Sequence, residues 1–82
     1  MKIEYKQRDN GGYYLSIPSI GLRSQRLIPL CLKIPTKKYE EFLRKCGARL
    51  ELDGYMYFYD KEQAIEAANQ LNIIFKLTKT NK

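Results

Sequence analysis

The chain has 82 residues, of which 44% are hydrophobic and 29% are charged, a composition typical of one small globular domain rather than a disordered or fibrous chain. No apolar run approaches the roughly 20 residues that a membrane-spanning helix needs, and the first residues lack the apolar core of a signal peptide, so we expect a cytoplasmic protein with no membrane partner. The net charge of +6 is concentrated in residues 1–50, which hold 11 of the 15 basic and 4 of the 9 acidic residues, and this excess favours an anionic partner such as nucleic acid.

Two strands joined by a tight turn are predicted at the start of the chain. In residues 2–7, Ile3 and Tyr5 alternate with charged side chains, and residues 13–17 also alternate between two faces, as half-buried strands do. The Asp-Asn-Gly-Gly run at residues 9–12 is rich in residues that accept positive φ angles, so the chain should reverse there. Residues 1–17 are therefore predicted to form an N-terminal β-hairpin.

A basic loop is predicted after this hairpin. Residues 18–26 contain proline, glycine and serine together with Arg23 and Arg26. Two interpretations are open: a solvated connector, or a basic finger whose guanidinium groups make bidentate contacts with phosphates.

A third strand is predicted at residues 27–34, which read LIPLCLKI. Leu30, Leu32 and Ile34 occupy alternate positions and should face the core. Pro29 cannot donate a backbone hydrogen bond, so full strand pairing should begin only after it.

The first helix is predicted between Thr36 and Cys46. Thr36 is a good N-cap residue, and Gly47 stands where a C-terminal cap belongs. Apolar residues recur between these ends at helical spacing, which predicts one buried face. That face consists of Tyr39, Phe42, Leu43 and Cys46.

Residues 48–60 carry a strong hairpin signal, an Asp53-Gly54 pair between two alternating runs. This dipeptide predicts a two-residue type I′ turn and therefore a β-hairpin. Alternation then separates a buried face from an outer face. The predicted buried face is Leu50, Leu52, Met56 and Phe58, and the outer face is Arg49, Glu51, Tyr55, Tyr57 and Tyr59.

The three tyrosines of this outer face allow two interpretations. A second layer could cover their rings, or the rings could pack on each other across the strands. Alternatively, Tyr55, Tyr57 and Tyr59 form a stacking platform for bases or for the side chains of a partner.

A second helix and a last strand are predicted at the end of the chain. Asp60 is a good N-cap, and Gln63 would complete a capping box. A strand is predicted at residues 73–78, and residues 79–82 should fray. The apolar face of the helix is Ala64, Ile65, Ala68 and Leu71.

The predicted fold is α+β, with residues 1–82 forming a single domain. Residues 27–78, in the order β-α-β-β-α-β, predict a ferredoxin-like split β-α-β sheet with two helices on one face of an antiparallel sheet. The hairpin of residues 1–17 is an addition to it. In the alternative arrangement, residues 13–17 and 27–34 pair as a hairpin. The predicted core cluster is Leu32, Phe42, Leu52, Phe58, Ile65 and Leu71.

Residues 54–72 resemble the third strand and second helix of an RNA-recognition motif. The matching residues, in order, are Tyr55, Met56, Phe58, Asp60, Ala64, Ala68, Leu71 and Asn72. The resemblance implies a ferredoxin-like fold and gives Tyr55 the place of a base-stacking aromatic side chain. Glu51 and Asp53 depart from the pattern, since the family has a basic and an aromatic residue there.

A second resemblance concerns residues 8–17, which read RDNGGYYLSI. Together with the basic loop and the elements after it, they are similar to a half-domain of LAGLIDADG homing endonucleases, which lays a saddle-shaped sheet on DNA. The helix that carries the family motif has no counterpart in this sequence, and Gly11 occupies the place of the catalytic acid. The resemblance therefore implies no nuclease activity.

The chemistry of the side chains favours a binding protein over an enzyme. There is no histidine, and Cys31 and Cys46 have neither a zinc-site spacing nor a partner base. We therefore expect no enzyme activity, no metal and no cofactor.

A small nucleic-acid-binding module, for RNA or DNA, is the favoured function. The expected phosphate contacts are Arg23, Arg26, Lys33, Lys37 and Lys38, and the expected base-stacking residues are Tyr55 and Tyr57. The alternative is a protein-interaction module, such as a small phage or mobile-element inhibitor or adaptor. A ferredoxin-like sensor of a small ligand is the third possibility.

Overall fold

The computed structural model describes residues 2–76 and shows an α+β fold with five short strands and three α-helices in that range. The strands are β1 (Glu4–Gln7), β2 (Tyr13–Ile17), β3 (Leu22–Arg23), β4 (Arg49–Leu50) and β5 (Met56–Tyr57). The helices are α1 (Ile28–Leu32), α2 (Thr36–Lys45) and α3 (Lys61–Ile74). The first three strands form an antiparallel sheet in the order β1-β2-β3, and β4 pairs with β5.

The N-terminal hairpin is confirmed. Tyr5 lies opposite Leu15 in the antiparallel pairing of β1 with β2. In the turn, the backbone N–H of Arg8 donates to the carbonyl of Gly12 at 2.9 Å. Leu15 and Ile17 are fully buried, as their alternation predicts.

The segment after this hairpin contains regular structure at residues 18–20 and 22–23, so the prediction of an irregular loop over residues 18–26 is wrong for that part. A 3-10 turn, Pro18–Ile20, is followed by Gly21 in the left-handed region at φ +71°, which lets the chain reverse. Strand β3 then returns along β2, and Arg23 lies opposite Ser16. The arginine of the predicted basic loop therefore projects from a sheet edge.

The segment 27–34 contains helix α1 (Ile28–Leu32) and not the predicted strand. Pro29 stands in the first turn of α1, where a missing backbone N–H costs no helical hydrogen bond. The helix ends at Lys33, whose φ of +61° is left-handed, and the N–H of Ile34 donates to the carbonyl of Pro29 at 3.0 Å. Proline is thus the physical reason for the difference, because it suits a helix start better than a strand.

The predicted strand at residues 73–78 is also wrong in its described part. Ile73 and Ile74 complete the last turn of α3, and the N–H of Phe75 still donates to the carbonyl of Leu71 at 3.0 Å. Here the helical hydrogen-bond ladder overrides the strand propensity of the two isoleucines. Residues 77–82 lie outside the described residues. Because two of its four strands are missing from the described range, the ferredoxin-like arrangement is not confirmed.

The helices α2 and α3 are confirmed, with changes at their starts. Pro35, and not Thr36, is the N-cap residue of α2. The carboxylate of Asp60 caps α3 by accepting from the N–H of Glu62 at 3.0 Å. The amide of Gln63 lies directly over Gly47 instead of completing a capping box, so a side chain at Gly47 would collide with it.

The second hairpin forms with a three-residue turn, and the predicted two-residue turn is wrong. Arg49 lies opposite Tyr57, and the N–H of Glu51 donates to the carbonyl of Tyr55 at 2.9 Å. Of the turn residues, only Gly54 has a positive φ, at +88°. A type I′ turn would also need a positive φ at Asp53.

The core lies between the first sheet and the helices. Its buried members include Leu15, Tyr39, Leu43, Met56, Phe58, Ala64, Ala68 and Leu71. Helix α3 packs on β1 and β2, and the amide of Asn72 makes two hydrogen bonds of 2.9 Å with the backbone of Ile3. These bonds hold the start of β1 on the helix.

The predicted core cluster is only partly confirmed. Leu32, Phe58 and Leu71 belong to the core, and Phe42 packs against it. Ile65 is half-buried. The predicted burial of Leu50 and Leu52 is wrong: Leu52 lies in the turn and is fully exposed, and Leu50 remains half exposed.

Two backbone hydrogen bonds join the first sheet to the second hairpin. The N–H of Tyr13 donates to the carbonyl of Phe58, and the N–H of Phe58 donates to the carbonyl of Tyr13, both at 2.8 Å. The start of β2 is therefore fixed beside the end of β5.

We expect Phe58→Ala to reduce the free energy of unfolding by about 3–5 kcal/mol, because Phe58 is fully buried where the two hairpins meet. Urea denaturation followed by circular dichroism measures this loss. The control is Leu52→Ala, at a side chain with 107% relative exposure, which should change stability by at most about 0.5 kcal/mol. Similar losses in the two variants would contradict the burial described.

Candidate functional site

Three arginines lie over three tyrosines on one side of the molecule. We call this the arginine–tyrosine surface, and its members are Arg8, Arg23, Arg26, Tyr14, Tyr55 and Tyr57. They come from the first turn, from β2 and β3, from the segment before α1, and from the second hairpin. Residues distant in the sequence therefore build one surface.

The pairing of β2 with β5 positions the aromatic rings. Because Tyr13 and Phe58 are hydrogen-bonded neighbours, Tyr14 and Tyr57 meet edge to face, with ring centroids 6.2 Å apart and planes at 89°. Edge-to-face pairs at this separation are a favourable arrangement of aromatic side chains.

Each arginine lies within cation–π distance of at least one ring. The guanidinium carbon of Arg8 is 3.8 Å from the centroid of the Tyr57 ring. That of Arg23 is 4.4 Å from the Tyr14 ring and 5.4 Å from the Tyr55 ring. Arg26 is 5.5 Å from the Tyr55 ring. All four distances are within the roughly 6 Å over which the ring quadrupole attracts a cation.

Glycine at position 12 makes room for Arg8. A Cβ atom at Gly12 would lie 2.9 Å from Cδ of Arg8 and 3.3 Å from the ring of Tyr59. The arginine side chain therefore crosses the turn where another residue would displace it.

Asp53 holds the second hairpin in place beneath the arginines. One carboxylate oxygen accepts from the N–H of Tyr55 at 2.9 Å, and the other accepts from the Tyr57 hydroxyl at 2.6 Å. These two donors lower the pKa of Asp53, with the Tyr57 hydroxyl as the main cause, and the charges of Arg8 and Arg23 lower it further. Burial, together with the bond to Asp53, raises the pKa of Tyr57.

A polar groove of about 420 Å³ opens beside Tyr57. Charged and amide side chains of the first turn line it, together with side chains of β2, β3 and the second hairpin. Its charged members are Arg8, Asp9, Arg23 and Asp53. The groove thus combines positive groups with hydrogen-bond acceptors.

The structure brings together four of the seven residues that the sequence predicts for the site. Arg23, Arg26 and Tyr55 lie on the surface as expected. Tyr57 also belongs to it, but it is only 2% exposed, since Arg8 and Tyr14 cover its ring. The prediction of an exposed Tyr57 is therefore wrong, and the interpretation of covered, cross-packed rings describes it better.

The predicted lysines lie elsewhere. Lys33 caps α1, and Lys37 and Lys38 lie in the first turn of α2. All three are exposed, and no contact within residues 2–76 joins their side chains to the arginine–tyrosine surface. The outermost tyrosine, Tyr59, is half-exposed and its hydroxyl donates to Glu51.

The sequence-based prediction missed two members of this surface, Arg8 and Tyr14, and it missed Asp53, which supports the surface through Tyr57. Tyr14 could have been predicted from the alternation of β2, because it follows that Tyr14 points to the outer face when Leu15 points to the core. Arg8 stands next to a glycine turn, where a long side chain has room to cross. No local pattern indicates the partnership between Asp53 and Tyr57, because it depends on the turn that forms.

The described part of the chain shows no grouped metal ligands, and the surroundings of Cys46 do not activate its thiol. Within residues 2–76, no three His, Cys, Asp or Glu residues are grouped to hold a metal ion. Burial, and then the charge of Glu66, raises the pKa of Cys46, which disfavours its thiolate. In the same range, no helix is long and apolar enough to cross a membrane.

No protein-family model matches the chain, and no curated protein or solved structure matches it significantly. The resemblances to the RNA-recognition motif and to LAGLIDADG half-domains therefore stay predictions. The geometry of the arginine–tyrosine surface carries the functional reasoning instead.

We expect the carboxyl pKa of Asp53 to lie below the usual value of about 3.9 and to rise towards it in Tyr57→Phe, because the hydroxyl is its main hydrogen-bond donor. A depressed pKa stabilises the folded state fully above the unfolded pKa, and this contribution is lost as the pH falls through the folded value. Carbon-13 NMR titration of the carboxyl group measures both proteins. Equal pKa values would contradict the hydrogen bond.

Proposed function

We propose that this protein is a small, non-enzymatic module that binds nucleic acid, RNA or DNA, through the arginine–tyrosine surface. The observation that carries the proposal is the position of Arg23, which lies over two tyrosine rings at once, with Arg26 beside the second. Both arginines are exposed on their outer sides.

A guanidinium group held over rings is ready to bind a phosphate. Arginine has a planar fork of five donors, and the fork matches two phosphate oxygens. Contact with the rings restricts the side chain before binding, so less rotamer entropy is lost when the phosphate arrives. Arg23 and Arg26 are therefore the proposed phosphate contacts.

Tyr55 is the proposed stacking residue. Its ring is half-buried, and the two arginines near it lie more than 5 Å from its centroid. Base–aromatic stacking contributes about 1–3 kcal/mol per base and tolerates any base. Tyr57 acts instead as a support, because Arg8 occupies its face and Asp53 holds its hydroxyl.

The lysines would extend the contact with the backbone of a longer strand. Lys37 and Lys38 stand in the first turn of α2, where Pro35 offers no side-chain cap and the helix dipole favours an anion. Lys33 adds a charge at the preceding helix end. The contribution of these lysines to the binding free energy should come from long-range electrostatic attraction and should be sensitive to salt.

We expect Arg23→Ala/Arg26→Ala to reduce the salt dependence of oligonucleotide binding, because each lost phosphate contact removes one released counterion. The log–log slope should fall by about 1.4 to 2. Fluorescence anisotropy over a range of salt concentrations measures it. The control, Arg44→Ala/Lys45→Ala, removes the same charge from the end of α2 and should change the slope much less.

Tyr55→Ala separates stacking from charge in the same titration. It should weaken binding by about 1–3 kcal/mol and leave the salt slope unchanged. An absence of measurable affinity for any oligonucleotide at low salt would refute the proposal.

A protein-interaction module is the second candidate, and one observation favours it. The segment that carries Arg23 and Arg26 also exposes large apolar side chains at Ile20, Leu27 and Leu30. Arginine and tyrosine are common anchors in protein interfaces, and apolar neighbours suit them. Capture of a partner from lysate that survives nuclease treatment, with no oligonucleotide affinity, would favour this candidate.

A further inference from the structure

The polar groove beside Tyr57 contains two carboxylates next to two arginines. Asp9 comes from the first turn and Asp53 from the second hairpin, and they share the groove with Arg8 and Arg23. In a surface for phosphates alone, these carboxylates would only repel the ligand. Asp53 is occupied by the second hairpin, so Asp9 is the carboxylate that can meet a ligand, and it would accept from a donor group rather than bind a phosphate.

We infer that this groove takes a guanine base of the bound strand, with Asp9 as the acceptor for its Watson–Crick edge. This inference rests on the proposed function, and it predicts that the groove prefers one base over the others. The groove volume of about 420 Å³ lies within the range of small-ligand sites, about 300–1,000 Å³.

The available hydrogen-bond acceptors favour Asp9 over Asp53. Both oxygens of Asp53 already accept from the second hairpin, one from the N–H of Tyr55 and one from the Tyr57 hydroxyl. Asp9 is exposed and makes no hydrogen bond with the described residues, although it lines the same groove. An ionised carboxylate has two oxygens and no donor, so it selects for a pair of donors.

Guanine presents that pair. Its Watson–Crick edge carries N1–H and the N2 amino group side by side, spaced to match the two oxygens of one carboxylate. Adenine and cytosine each present one amino group next to an acceptor, and uracil and thymine present one N–H between two acceptors. A base with an acceptor at this edge would leave an oxygen of Asp9 against another lone pair, which is unfavourable.

Arg8 supplies the stacking surface for the base. The guanidinium carbon of Arg8 lies 3.8 Å from the centroid of the Tyr57 ring, and Arg8 also lines the groove, so its guanidinium is placed to stack on a base that enters there. Arginine planes stack on bases as aromatic rings do. Arg23, which also lines the groove, would contact the phosphate of the same nucleotide.

The test uses single-stranded oligonucleotides of about 10 nucleotides, rich in uridine or thymidine, with one central position varied. Wild-type protein should bind the strand with central guanine about tenfold more tightly than the strand with central adenine. Inosine, which keeps N1–H but lacks the N2 amino group, should fall between them. Fluorescence anisotropy at one fixed salt concentration gives the three affinities.

Asp9→Asn should remove this preference, leaving the guanine and adenine strands within about twofold of each other, because an amide offers one donor and one acceptor. The control, Glu41→Gln, removes the same charge from an exposed position on α2 and should keep the preference. Thermal unfolding checks that both variants fold.

The outcomes distinguish this inference from the proposed function. Salt-dependent binding with equal affinity for guanine and adenine would overturn the guanine subsite and leave the nucleic-acid module intact. A preference for guanine that survives Asp9→Asn would overturn the assignment to Asp9. Failure to bind any strand would overturn both the module and its subsite.

Discussion

The paired hydrogen bonds between Tyr13 and Phe58 are the interaction on which the surface depends. They are the backbone link between the first sheet and the second hairpin, with both N···O distances at 2.8 Å. Phe58 can enter the core beneath them because the two strands lie side by side. The same register places Tyr14 against Tyr57 and lets Arg8 reach across Gly12. The burial of Phe58 and the arrangement of the candidate site therefore both depend on this pair of hydrogen bonds.

Contacts with tyrosine rings hold the three arginines in position. Cation–π contacts at exposed positions are worth about 0.5–1 kcal/mol each, which orders a side chain without neutralising its charge. Asp53 contributes at the base of the cluster, where it fixes the Tyr57 hydroxyl. The result is a set of positively charged guanidinium groups with defined positions, which suits the recognition of an anionic strand.

The sequence correctly predicted those helices and strands that depend mainly on interactions between residues close together in the chain. The alternation of residues 13–17, the apolar stripe of α2 and the Asp60 cap of α3 all led to confirmed elements. The periodicity of the short apolar run at residues 27–34 fits either a strand or a helix. The structure has a helix, because Pro29 is well tolerated in a first helical turn. Arg23, Arg26 and Tyr55 could be selected from charge and aromatic content alone. The alternation of β2 placed Tyr14 on its outer face. Arg8 could not be selected, because its partner ring, Tyr57, is brought near by the long-range pairing of β2 with β5. Asp53 could not be selected, because its bonds to Tyr55 and Tyr57 depend on the turn that forms.

The most direct measurement is a nitrogen-15 NMR titration of the arginine Nε–H groups with a single-stranded oligonucleotide. Recognition by the arginine–tyrosine surface predicts that the signals of Arg8, Arg23 and Arg26 shift together, at the same oligonucleotide concentration. Arg44, which lies on α2 outside that surface, should keep its signal position. A shift confined to Arg44, or no shifts at low salt, would contradict the account.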